Sequence, residues 1–204
     1  MIRLYTNADN PQTRYISQAV DVLADGGLII YPTDTVYGLG CDLYNKRAIE
    51  RIYFIKGYKK KSQLSFICPD LKNIARYAHV STPAYKVMRR LLPGPYTFIL
   101  EATREVPRIL LEKRRTVGIR VPDNEICRNL LAEFGHPIIS TSASLPGRDY
   151  MHDPDEIIQV FEHTVDLFID NDFGGTDPST IIDFTSDIPE ILRKGKGYRE
   201  DLLY

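Results

Sequence analysis

Tyr31-Pro32-Thr33-Asp34-Thr35-Val36-Tyr37-Gly38-Leu39-Gly40 follows directly on the apolar run Leu28-Ile29-Ile30, so a buried strand empties into a turn crowded with hydroxyl groups. Open α/β sheets place ligands at such strand exits. Pro32 fixes one φ and has no N–H to donate, and Gly38 and Gly40 admit positive φ. A plain surface turn does not need the polar side chains between them. Local chemistry alone leaves two readings level: a ligand loop, or a strand exit whose Thr and Asp satisfy nearby backbone groups.

The flanking sequence decides the fold class. Upstream, Asn10 and Pro11 supply a helix N-cap and first helical residue, Ile16, Ala19, Val20 and Leu23 form a stripe, and Gly26-Gly27 ends the helix before Leu28. Downstream, a helix over 46–56 turns Ile49, Ile52, Tyr53 and Ile55 inward and stops at Gly57, which leaves Lys56 at its end. The pattern then predicts a short buried strand at 64–68, helices at 71–78 and 83–92, and strands at 96–101 and 117–121. A helix over 124–134, capped by Asp123 and stopped by Gly135, leads to a strand at 137–140 with a hydroxyl-rich exit. A helix over 155–162 and strands near 165–169, 180–184 and 190–193 complete the chain. This is α/β: a single domain over 1–204 with a twisted mixed sheet, parallel and antiparallel, flanked by helices.

Composition narrows the class further. The 204 residues, 43% of them hydrophobic, suffice for one good core. A net charge of −1 gives no global signal for nucleic acid, yet it hides basic runs at Lys59-Lys60-Lys61, Lys113-Arg114-Arg115 and Arg193-Lys194-Gly195-Lys196. Cys41, Cys68 and Cys127 are widely separated and set in largely apolar sequence, which argues against a disulfide framework and a zinc site and fits a reducing cytoplasm. The four histidines show no ligand spacing, so no metal site is read. No apolar run is long enough for a membrane span, and Met1 leads into Ile-Arg-Leu-Tyr rather than into a basic segment and an apolar signal core. The expectation is a soluble cytoplasmic protein, a monomer, that engages no membrane.

Three further clusters carry chemistry. Ser140-Thr141-Ser142-Ala143-Ser144-Leu145-Pro146-Gly147 packs hydroxyls at the end of a strand, where small residues let amides and Oγ atoms approach phosphate oxygens; the same residues also serve simply as turn formers. Lys56 beside Gly57 can reach a phosphate as a point charge, or be a solvated basic turn. In Gly118-Ile119-Arg120-Val121-Pro122 an arginine interrupts an apolar strand and needs an anionic partner, which a structural carboxylate or a substrate would satisfy equally.

In this order, joined by Leu92-Pro93-Gly94-Pro95-Tyr96-Thr97 and Pro178-Ser179-Thr180-Ile181-Ile182-Asp183, the clusters resemble the YrdC/YciO superfamily of threonylcarbamoyl-adenylate synthases. The resemblance runs from about residue 10 to residue 195 and rests on six ordered motifs. It implies a YrdC-like fold with a large, positively charged concavity. Synthases of that family convert L-threonine, bicarbonate and ATP, with Mg²⁺, to threonylcarbamoyl-AMP and pyrophosphate, on the way to threonylcarbamoyladenosine in tRNA. By resemblance Thr33, Thr35 and Tyr37 line the threonine pocket, with Ser179 or Thr180 closing it, and Arg120 binds the carboxylate, preferably bidentate. Lys56, helped by Ser142 and by Ser140 and Ser144 of the same loop, contacts the phosphates, and Arg193 reaches the nucleotide. Lys56, Arg120 and Ser142 would carry the catalysis, by positioning and charge neutralisation.

The chain departs from the synthase pattern at three places. The family's Lys is followed after one residue by Arg, and its hydroxyl loop reads Ser-Ala-Asn; Tyr58 and Ser144 stand at those places here. Tyr58 removes a guanidinium, for which Lys59, Lys60 or Lys61 can supply charge from beside it, Lys60 being counted among the nucleotide contacts. Ile67 stands where many synthases carry a His facing the threonine pocket. The pattern is closer to the YciO-type branch, and two weakened contacts predict a reaction slowed by orders of magnitude. Two other readings stay open: a non-catalytic module binding double-stranded RNA or tRNA on a basic concave surface, and a nucleotide-dependent relative that activates another carbamoyl or acyl acceptor.

Overall fold

The structure is a computed structural model that describes residues 1–57, 64–111, 115–172, 174–186 and 188–203. Tyr58, Lys59, Lys60, Lys61, Lys113 and Arg114 therefore lie outside the described residues. The strands are β1 Ile2–Tyr5, β2 Ile29–Tyr31, β3 Gly38–Asp42, β4 Ser65–Ile67, β5 Ala78–His79, β6 Tyr96–Ala102, β7 Thr116–Arg120, β8 Ile138–Ser142, β9 Leu167–Asp170, β10 Thr180–Asp183 and β11 Glu190–Arg193. They form one mixed sheet in the order β1-β9-β2-β3-β8-β4-β7-β6-β10-β11, with β5 paired to β6 off this path. The pairs β1–β9, β9–β2, β4–β7 and β6–β10 are parallel and the others antiparallel, as the mixed-sheet reading expects.

Helices cover both faces. They are α1 Thr13–Ala24, α2 Lys46–Ile55, α3 Ile74–Tyr77, α4 Thr82–Leu91, α5 Glu125–Phe134 and α6 Pro154–Phe161. Because successive strand residues point to opposite faces, Leu28 and Ile30 join one apolar cluster with Ile49, Ile52, Met88 and Phe161, while Ile29 and Tyr31 join the other with Ile16, Leu23, Ile126 and Leu130. The first cluster lies beneath α2, α4 and α6, and the second beneath α1 and α5.

Several boundaries differ from the sequence reading, each for a local reason. α1 starts at Thr13 rather than after Asn10, because the Asn7 side chain accepts from the amides of Asp9 and Asn10 and folds that segment into a turn. Asn124, not Asp123, caps α5 by accepting from Cys127 N. The helix expected over 71–78 shrinks to α3, followed by the two-residue β5. The chain ends bring an unforeseen edge strand, β1. The stretch 38–40, read as part of a turn, is instead the start of β3, and Ser140 to Ser142 is strand rather than loop.

The glycines of β3 have a packing cause. A Cβ on Gly38 would lie 2.9 Å from Tyr31 Cζ, and one on Gly40 2.9 Å from Tyr31 Cε1, so the ring of Tyr31 lies across both. The same face carries small residues across four strands: Gly40 pairs with Ser140, Ser140 with Ser65, and Ser65 with Gly118, before Ile99 of β6 ends the row. Where α1 and α5 cover this face, Ile138 and Ile67 fill it; beyond them the glycines and serines leave a trough.

Candidate functional site

The trough is a cavity of about 280 Å³. Gly38, Ser65, Ser140 and Ser142 form its floor, and the loop after β2, Tyr150, Pro178-Ser179 and Arg193 of β11 form its walls. Of the site residues read from sequence, Thr35, Tyr37, Arg120, Ser140, Ser142, Ser179 and Arg193 line it. These side chains therefore gather beside the loop after β2, across the sheet face rather than in one loop.

Four expected residues have other positions. Thr33 Oγ1 donates to Val36 O at 2.7 Å and accepts from Thr35 N at 3.0 Å, so it shapes the loop and does not line the cavity. Thr180 is fully buried, donating to Lys196 O and accepting from Gly195 N. Lys56 and Ser144 stand behind the cavity wall. Lys60 lies outside the described residues. Tyr37 lines the cavity, but its hydroxyl turns away to donate to Asn171 Oδ1 at 2.9 Å, and burial pushes that phenol's pKa upward.

Arg120 ends β7 with its side chain 11% exposed, and its Nη2 donates at 2.9 Å to both Asp34 Oδ1 and Thr35 Oγ1. The structural-carboxylate alternative thus holds: Asp34 is the counter-ion. Arg120 Nε is buried and has no hydrogen-bond partner among the described residues. Asp34 also accepts from Asp123 N through Oδ2, and its backbone carbonyl takes a 2.6 Å bond from Lys196 Nζ.

Arg193 and Lys56 are different. Arg193 donates through Nε to Ser179 O and through Nη2 to Ser179 Oγ, at 2.9 and 3.0 Å. Ser179 Oγ in turn lies 2.7 Å from Thr97 Oγ1. Burial lowers the Arg193 pKa, with Tyr150 opposing and Arg120 adding to the fall. Lys56 caps α2 with only 5% of its surface exposed and donates to Ser144 O at 2.6 Å, Ser142 O at 3.1 Å and Ser144 Oγ at 3.2 Å. Burial lowers its pKa to about 8. Among the described residues neither cation has a carboxylate partner.

Sequence reasoning missed Ser65, Thr97, Thr141, Tyr150 and Ile181 as lining residues. Ser65 interrupts an otherwise apolar strand, which was a usable signal. Its partners on the floor follow only from the register of β4 against β7 and β8, which spacing along one segment does not disclose.

The chain belongs to the Sua5/YciO/YrdC family. The family profile described as Sua5_yciO_yrdC, telomere recombination, matches residues 21–195. The uncharacterised protein YciO of Escherichia coli (strain K12) is 45% identical over 195 residues, 95% of each chain, and the crystal structure of E. coli YciO superposes with a TM-score of 0.93 over 97% of this chain and 98% of that one. A threonylcarbamoyl-AMP synthase of Pseudoalteromonas translucida is 33% identical over 82% of this chain and 92% of its own. Sua5 of P. abyssi, crystallised with L-threonine, is 28% identical with a TM-score of 0.89, over 96% of this chain and 58% of that one. No helix among the described residues is long and apolar enough to cross a membrane.

Proposed function

We propose that this protein is a threonylcarbamoyl-adenylate synthase, joining L-threonine, bicarbonate and ATP. The observation that carries the reading is Arg193, partly buried on the wall of a hydroxyl-lined cavity and held, among the described residues, by neutral oxygens alone, with Lys56 held likewise behind that wall. A buried charge without a counter-ion is costly, and a ligand's phosphate or carboxylate supplies it. The relative named as a synthase and the L-threonine bound to Sua5 support the choice of substrates.

The amino acid's carboxylate is assigned to Arg120, beside its Asp34 pair, and to the hydroxyl of Thr35. The nucleotide's phosphates are assigned to the Ser140–Ser142 edge and Arg193. Threonine's amine and bicarbonate condense to a carbamate with loss of water; a carbamate oxygen then attacks the α-phosphorus, its P–O bond forms as the bond to the β-phosphate breaks, and pyrophosphate leaves. No side chain takes a covalent role; the protein positions the reactants and spreads the developing charge over Arg and Lys. Among the described residues no cluster of His, Cys, Asp or Glu could hold a metal, so Mg²⁺ fits here as a companion of the ATP phosphates.

Ile67 on the cavity wall favours a second reading, a different carbamoyl or acyl acceptor in threonine's place. The test is formation of pyrophosphate and threonylcarbamoyl-AMP from ATP, Mg²⁺, bicarbonate and L-threonine, with Lys56→Ala and Arg120→Ala as controls. Threonine-dependent product lost in both variants is the expected result. ATP binding without threonine-dependent product would move the assignment to another acceptor.

A further inference from the structure

An ammonium group can donate hydrogen bonds but cannot accept them. Lys56 Nζ has three N–H groups and three oxygens in reach: Ser144 O, Ser142 O and Ser144 Oγ. Ser144 Oγ must therefore accept from Lys56. Among the described residues its own proton has one partner, Ser142 Oγ at 3.0 Å, and Ser144 is buried with 5% of its surface exposed. The direction of that bond is thereby set: Ser144 donates and Ser142 accepts. Ser142 then keeps its proton, and Ser142 lines the cavity where Ser144 does not.

The neighbouring floor residue is set the same way. The buried Tyr31 hydroxyl donates to Ser140 Oγ at 2.6 Å, which leaves the proton of Ser140 free on a residue that also lines the cavity. Ser140 and Ser142 share one face of β8, two residues apart and so about 7 Å from each other, too far to serve one oxygen. Each has an oxygen already engaged from behind and a proton left for the front.

We propose that Ser144 and Tyr31 are positioning residues that fix Ser142 and Ser140 as hydrogen-bond donors toward a polyphosphate in the cavity, with Lys56 setting the direction of the first relay. The proposal rests on the phosphate-site reading above. It gives Ser144 a role other than ligand contact: in this chain a short hydroxyl at 144 passes the polarity of Lys56 on to Ser142. Chains of aligned hydrogen bonds polarise one another, so Ser142 becomes a stronger donor than an isolated serine.

Calorimetric titration of the full chain with inorganic pyrophosphate and with ATP, both with Mg²⁺, tests it. Because Ser144→Ala weakens a hydrogen bond to a charged group rather than removing it, pyrophosphate binding should weaken about 10-fold. Ser144→Cys, which keeps the volume and loses the strong hydroxyl, should match it, and Ser144→Thr should restore affinity to within about 3-fold. Thermal midpoints identify any variant that has merely lost its fold, and the volume-conserving Cys variant keeps the test open if Ala unfolds. The deciding comparison is Ser142→Ala against Ser142→Ala/Ser144→Ala: with the end of the relay gone, removing its middle should cost nothing more. Tyr31→Phe, acting on the other donor, should add its loss to that of Ser144→Ala. Binding by Ser144→Ala within 2-fold of wild type, or full additivity with Ser142→Ala, overturns the relay while leaving the phosphate site standing. Wild-type protein that binds neither pyrophosphate nor ATP overturns both.

Discussion

Arg120 and Asp34 meet at 2.9 Å although their strands are separated by β3, β8 and β4 in the sheet. The loop after β2 therefore reaches over the trough floor to the end of β7, and the ion pair closes the cavity on that side. Both side chains are about nine-tenths buried, so the pair has little solvent to fall back on. Replacing Asp34 by Ala strands the guanidinium and releases Asp123 N and the loop together. The expected loss is about 3 kcal/mol of unfolding free energy in urea, the range seen when one member of a buried pair is removed. L-threonine should raise the melting temperature of Asp34→Ala more than that of wild type, because its carboxylate then supplies the only counter-ion. An equal or smaller rise would mean that Arg120 does not take the ligand's carboxylate.

The same pair shows what the sequence could reveal. That Arg120 needed an anion was legible from its apolar neighbours; which anion was not, because Asp34 lies 86 positions away and the contact depends on how a loop crosses three strands. Helices were read well where an apolar stripe and a stop agreed, as with Ile49 and Ile52 in α2 and Gly57 after it. The start of α1 was misplaced because Asn7 draws the amides of Asp9 and Asn10 into a turn, so that Asn10 does not cap the helix. β3 was hidden because Gly-Leu-Gly reads as a turn, and only the ring of Tyr31 explains why a strand holds two glycines there. The hydroxyl cluster at 140–144 was found, but its division into cavity donors and a residue behind the wall needed coordinates.

The Tyr31 ring leads to a stability prediction. Gly40→Ala places a Cβ 2.9 Å from Tyr31 Cε1 and 3.0 Å from Ile139 O, and neither neighbour can swing away, since one is buried and the other is backbone. Overpacking of this kind costs about 1–3 kcal/mol. Gly135→Ala, with nothing within 4 Å of the added carbon but φ at +83°, should cost about 1 kcal/mol through backbone strain alone. Denaturant titrations that ranked Gly135→Ala as the more damaging would count against the Tyr31 packing.

Cys41, Cys68 and Cys127 are buried, and burial raises the pKa of all three thiols. The thiolate is the reactive form, so the native protein should resist an aromatic disulfide reagent at pH 8, with three thiols appearing only after denaturation. A thiol that reacted within seconds in the native state would show that the face covered by α1 and α5, or the opposite core, opens readily.

Lys56 links charge, pH and both halves of the functional reading. Burial holds its pKa near 8, below the ordinary lysine value of 10.5, with no charged neighbour contributing. Below pH 8 the ammonium is present in the folded protein and the anion site is fully charged; above it the amine is neutral, and pyrophosphate affinity should fall as pH rises through about 8. Stability moves the opposite way for this group. Between pH 8 and the unfolded lysine's pKa the unfolded chain binds the extra proton, so the Lys56 contribution to unfolding free energy rises with pH across that window. The three buried thiols work against it, since their folded pKa values are raised and they withdraw stability as pH climbs past the ordinary thiol range. Comparing wild type with Lys56→Met cancels the thiol contribution and isolates the lysine. The difference in unfolding free energy, wild type minus variant, should grow between pH 8 and 10, while the Lys56-linked fall in pyrophosphate affinity through about pH 8 is lost in the variant, the ligand's own titration being common to both. If both proteins lose pyrophosphate affinity in parallel above pH 8, the titrating group is not Lys56, and its charge is not felt at the phosphate site.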